Sequence, residues 1–256
     1  MKLSSLLGFA ALLAAFSTVA CTNKVIKKAP AEAPAEEEGT PEEEEGEPQS
    51  GAKDWAGQPI IVKTDGFDTA EGGVVIIANT AAKRVTARVD PEPRKPGATP
   101  TTNPSPFVTI EEKKTQITVA CVKASATGLG CKKLTVTVPA GTLDVPVPLT
   151  VTSGNGGIKV DGTLTVSTLK LSESGTGTIV AKAKVAPGAT IDISAKDSVE
   201  VALPEDFAAD EVVLAGKVEA GEFPGLANGK PFGEEGVGAK LFKARSTSSV
   251  VRIKKL

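Results

Sequence analysis

Asp161, Asp192 and Glu200 are the residues whose type and spacing come nearest to chemistry in this chain. They stand at polar positions of alternating stretches, so on neighbouring strands their carboxylates could align. Aligned acids with a basic neighbour can hold Ca2+ or act as general acid and base on a polysaccharide. Surface carboxylates more commonly serve solvation, and no catalytic or metal-ligating residue is assigned. The 256 residues include no histidine, which removes the commonest general base, the commonest metal ligand and the usual partner of a serine or cysteine nucleophile. The chain is read as no enzyme, with no cofactor. The step SGNGG at Ser153 could suggest a phosphate cradle, but neither a lysine nor a strand-loop-helix setting follows it.

The three cysteines divide into one and two. Cys21 follows an apolar run from Leu6 to about Val19, shorter than the roughly 20 residues that a spanning helix needs. A signal peptide over residues 1–20 is expected. Thr18, Val19, Ala20 and Cys21 resemble a bacterial lipobox, which implies lipidation at Cys21; ordinary cleavage after Ala20 is the alternative. Thr22, where an aspartate would imply inner-membrane retention, implies by the same resemblance an outer-membrane destination. More than one acyl chain on the cysteine makes such an anchor stable. Cys121 and Cys131 then form an even pair in an exported chain, and a disulfide closing a hairpin is expected between them.

The elements that would position these groups begin after an acidic stretch. Residues 21–53 are rich in Pro, Glu and Ala with almost nothing large and apolar, and are expected to be a disordered tether. Nine glutamates and four lysines fall in residues 1–50, which leaves 25 basic and 22 acidic residues for the rest. A charge of about +3, with one Trp and no Tyr in the whole chain, does not make a nucleic-acid surface.

A β-rich domain is expected over residues 54–256. A glycine or serine step followed by strict alternation recurs as GGIKV at Gly156, GTIVA at Gly177, SVEVA at Ser198 and GKVEA at Gly216, about 20 residues apart. The fold class that this predicts is all-β: a short parallel β-solenoid, or β-helix, of about 20-residue rungs, with an antiparallel β-sandwich as the alternative. In the first case Ile158, Ile179, Val199 and Val218 stack in register. The inward set also includes Val160, Leu164, Val166, Leu169, Leu171, Ala181, Ala183, Ile191, Ile193 and Val201. Lys159, Thr165, Lys170, Lys182 and Lys184 face water with the three acids. Residues 90–107, with six prolines, read as an exposed loop, and residues 221–238 as a glycine-rich insertion. Pro146 and Pro148 imply incomplete pairing before Gly154. The segments around Trp55 and the terminal RIKKL are candidate caps for the open ends.

At LTVTVPAG, SGNGGIKV, SGTGTIVA, DSVEVALPEDFAAD and SSVVRIKKL the chain resembles a bacterial putative-adhesin family of short β-solenoid domains related to the head GIN domain. Val201, Leu203, Pro204, Phe207, Ala208 and Asp210 fall on its closing signature. The resemblance implies the fold and an envelope location, and it brings no catalytic residues. The resulting expectation is a non-enzymatic lipoprotein of the cell envelope, tied to the membrane through its N-terminal lipid, with an adhesive or scaffolding role toward an unknown envelope or surface partner. A periplasmic or outer-membrane β-sandwich that binds a ligand or carbohydrate is the alternative, although Trp55 is the only candidate for a sugar platform.

Overall fold

The computed structural model describes residues 49–64, 72–113 and 115–256; the leader, Cys21 and nearly all of the acidic stretch lie outside them. The described chain is all-β. Strands β1 (Gln49–Asp54), β2 (Ile60–Thr64), β3 (Gly73–Asn79) and β4 (Arg84–Pro91) precede the proline-rich loop. After it come β5 (Phe107–Lys113), β6 (Gln116–Val122) and β7 (Cys131–Pro139). The middle is β8 (Val147–Ser153), β9 (Ile158–Asp161), β10 (Leu164–Glu173), β11 (Ile179–Ala195) and β12 (Val199–Leu203). The last two are β13 (Val212–Glu219) and β14 (Leu241–Lys255). β1 starts inside the stretch expected to be tether, because its backbone pairs with β4 from Gln49 onward.

The sheet is mixed. Its antiparallel strand pairs, β1 with β4, β4 with β7 and β5 with β6, gather at one end, and the other pairs of named strands among the described residues are parallel. Parallel strands need a crossover between them, and here the crossover is another strand. The chain runs up one face, turns a corner and runs along a second face. On the first face the registered neighbours are Ile117, Ile60, Leu149, Leu169, Ile191, Phe242 and Val212. On the second they are Leu134, Val74, Ile158, Ile179, Val199, Val251 and Val218. Except for Val218 these residues are buried, and each large aliphatic contributes about 1.5–3 kcal/mol by leaving water. Strands β10, β11 and β14 are long because each serves more than one side. A bulge between Val166 and Thr168, opposite Val147 and Pro148, bends β10 there.

The order of layers in space differs from their order along the chain at both ends. The β2–β3 layer lies between β6–β7 and β8–β9. Both halves of β14 lie inside β13, against β11 and β12. Val218 therefore meets Val251, not Val199, and on the outermost strand it is 37% exposed. Ile158, Ile179 and Val199 are consecutive neighbours, as the repeat predicts.

Three further expectations are corrected. The terminal RIKKL is no cap but continues β14 along β12, and residues 220–240 cover the end instead: Gly229 N donates to Val212 O, Leu214 N to Asn228 Oδ1, and Phe223 and Phe232 join Phe207. Phe207 in turn packs edge-on against Phe242 at 5.2 Å. Thr165 is buried, not outward, because the Ala140–Gly141 backbone crosses it and Thr165 N donates to Ala140 O at 2.7 Å. The proline-rich loop is held as well as exposed, with Glu92 N donating to Gly130 O and Leu129 N to Pro104 O.

Candidate functional site

The corner between the two faces explains the glycine steps. A Cβ on Gly73, whose φ is +117°, would stand 2.3 Å from Gly156 O. One on Gly177 would stand 2.2 Å from Gly157 N. Layers approach backbone to backbone here, and only hydrogen fits between them. SGNGG is thus a packing device.

Small and polar side chains point inward at this corner. Thr64 Oγ1 donates to Thr152 O at 3.2 Å, Ser153 Oγ to Asn155 O at 2.8 Å, and Ser246 Oγ to Asp197 O. Each hydroxyl supplies a proton to a backbone carbonyl at or beside a turn. Glu173, on the same inward parity as Leu169 and Leu171, breaks the pattern. It is only 4% exposed, and neither carboxyl oxygen has a hydrogen-bond partner among the described residues. Burial pushes this carboxyl above the ordinary 4.5 and Asp197 adds to the push, while the nearby N–H groups of Lys196 and Gly175 oppose it without the alignment of hydrogen bonds. Sequence reading passed over Glu173, although its parity was the available signal.

The acids singled out from the sequence do not converge. Asp161 and Glu200 lie on the second face with β11 between their strands, and Asp192 lies on the first. Each is engaged by a cation: Asp161 by Lys159 at 3.9 Å, Glu200 by Lys254 at 2.9 Å and Asp192 by Lys243 at 3.0 Å. Glu219 accepts from Arg252 at 2.9 Å across β13 and β14; hydrogen bonds from Lys217 and Arg252 hold its carboxyl below the usual range. Trp55 is half-buried against the core, its Nε1 donating to Gln58 O at 2.7 Å, so it forms no open platform.

Cys121 and Cys131 are joined by a disulfide, with 6.4 Å between their Cα atoms. It does not close a hairpin. β6 pairs with β5 and β2, and β7 with β4 and β3, so the bond staples the corner of one layer. Cys21 lies outside the described residues.

A shallow groove of about 310 Å³ crosses the outer side of the first face, and a larger open concavity of about 640 Å³ lies beside Glu173, Lys196, Ser246 and Thr247. The floor of the groove is Thr150 and Thr152 of β8, Lys170 and Ser172 of β10, and Asp192 and Ser194 of β11, with Arg245 of β14 at one end. Asp192 Oδ2 accepts from Lys243, whereas Oδ1 is buried with no hydrogen-bond donor and only Arg245 4.0 Å away. The groove holds hydroxyls and cations around one partly satisfied carboxylate. That chemistry suits binding of a hydroxylated or anionic ligand.

No family model and no curated protein matches the chain. Among solved structures it is similar to a putative cell adhesion protein from Clostridium sporogenes, at 12% identity over 82% of this chain and 100% of that one, with a TM-score of 0.48. It is similar also to a putative adhesin from Parabacteroides distasonis, at 15% identity over 81% of this chain and 98% of that one, with a TM-score of 0.31. A putative adhesin from Bacteroides fragilis matches at 11% identity over 82% of this chain and 97% of that one, with a TM-score of 0.24.

Proposed function

We propose that this chain is a non-enzymatic lipoprotein of the cell envelope, anchored in the outer membrane through Cys21, which presents a β-solenoid domain for adhesion or scaffolding. The observation that carries the reading is the pair of side-chain columns, seven strands deep, that line the interior of the domain. Such a stack buries each layer against its neighbours and leaves long ordered surfaces for contact. The lipobox-like TVAC and the acidic stretch after it supply a mooring and a standoff in the same reading. The Cys121–Cys131 bond suits an oxidising compartment.

Growth with a radiolabelled fatty acid, followed by membrane fractionation, tests the address. Label in the wild type, its loss in Cys21→Ala and recovery of the protein in the outer-membrane fraction are expected. Unlabelled protein in the cytosol would end the proposal.

A further inference from the structure

Glu173 ends β10 at the glycine-step corner, in an inward row that suits it badly. Thr64, Ser153, Glu173, Ala195 and Ser246 succeed one another across β2, β8, β10, β11 and β14. All are buried, and only the glutamate can carry charge. Its charged surroundings come from two elements. The turn between β11 and β12 brings Asp197, which opposes ionisation of Glu173, and Lys196, whose ammonium favours it. β14 brings Arg245, which lines the open concavity of about 640 Å³ together with Glu173 and Lys196. In this row β2 and β8 present hydroxyls alone, and β13 presents Ala215 at the rim.

The same turn ties the corner together. Asp197 Oδ2 accepts from Gly177 N at 2.8 Å, in the turn that follows Glu173, and Asp197 O accepts from Ser246 Oγ. Lys196 O accepts from Ser248 N at 2.9 Å. On the other side Ser174 N donates to Ser153 O at 3.1 Å, and Gly156 N to Thr176 O at 2.9 Å. Residues 174–177 are therefore clasped between the turn after β8 and residues 196–198, with the carboxyl shut behind them.

We propose that Glu173 is a pH-operated latch on this corner: protonated, it stays in the inward row and the turns are clasped; ionised, it swings into the concavity toward Lys196 and Arg245 and parts residues 174–177 from residues 196–198. Each charge state has its own position, because the interior aligns no donor on the carboxylate and the concavity offers two cations and water. The columns need not separate for this, since Leu169 and Leu171 of the same strand stay in register with β8 and β11. Once open, the carboxyl has its ordinary value of 4.5, whereas shut in it is raised. The opening equilibrium therefore grows as pH climbs above 4.5, by up to about tenfold per pH unit, and levels off above the shut-form value. The corner is tightest in acid.

Amide hydrogen exchange of the full-length chain in detergent tests the latch, read by mass spectrometry with the pH dependence of intrinsic exchange divided out. Between pH 4.5 and about 8 the opening constant at Gly156, Gly177 and Ser248 is expected to rise about tenfold or more in the wild type. In Glu173→Gln it should stay within about twofold across the same range. Ala140 N and Thr165 N, which donate to Asn79 O and Ala140 O at the opposite corner, should hold constant in both proteins. A second measurement needs the wild type alone: the carbon-13 resonance of the Glu173 carboxyl, assigned by through-bond correlation, is expected to titrate with a midpoint above 4.5. A flat opening constant in the wild type, the same rise in Glu173→Gln, an equal rise at Ala140 and Thr165, or a midpoint at or below 4.5 overturns the proposal.

Discussion

At the scale of single residues, Glu173 is the position where chemistry and packing disagree most. Its folded pKa is raised, so the carboxylate's destabilising effect is absent below the ordinary value of 4.5 and grows as pH rises through the folded value. Glu173→Gln supplies an amide that can donate to a turn carbonyl as the neighbouring hydroxyls do. The variant is expected to melt higher than wild type at pH 7, by roughly 2–4 °C for each kcal/mol recovered. That advantage should shrink to nothing near pH 4, as melting curves across the range will show; an advantage independent of pH would place the cause outside ionisation. Gly73→Ala and Gly177→Ala test the corner from the steric side. Each forces a Cβ into backbone at a left-handed position, and a loss of about 2 kcal/mol or more in denaturant titrations is expected. The parity of the inward residues was legible within each strand, although it switches from even to odd positions at the bulge between Val166 and Thr168. What alternation cannot express is an inward residue of the wrong chemical type, and Glu173 was passed over for that reason.

At the scale of elements, the informative strand is β14. Phe242 fills the first-face column between Ile191 and Val212 and abuts Phe207, so Phe242→Ala should cost about 3–5 kcal/mol by equilibrium unfolding. Val218 is in register but exposed on the outermost strand, and Val218→Ala should change stability by less than about 0.5 kcal/mol. A repeat read in chain order ranks the two layers the other way round, with the C-terminal strand outermost and dispensable. Sequence periodicity reports that a strand has neighbours on both sides; it does not say which ones, because every layer writes the same aliphatic code. The same ambiguity hid the partners of β6 and β7, which look like a hairpin but belong to different faces. The groove was less visible still. Thr150, Lys170, Asp192 and Arg245 lie apart in sequence and come together only through the registers of β8, β10, β11 and β14.

At the scale of the whole molecule, stability is spread along the columns and the covalent staple is local. Cys121 and Cys131 are 10 residues apart, and closing so short a loop is worth at most about 3 kcal/mol. Reduction, or Cys121→Ala with Cys131→Ala, is expected to lower the melting temperature while leaving the far-ultraviolet spectrum of the folded state unchanged. Loss of the β signal at room temperature would mean that the bond organises more of the molecule than the corner it closes.

The placement of β14 between β12 and β13 gives the tail the part of a keystone. A chain that emerges from a ribosome or a translocation pore with its N-terminus leading cannot set that stone until Leu241–Lys255 is free. Completion of the arch thereby waits for β14, and β13 has no layer to close on before it arrives.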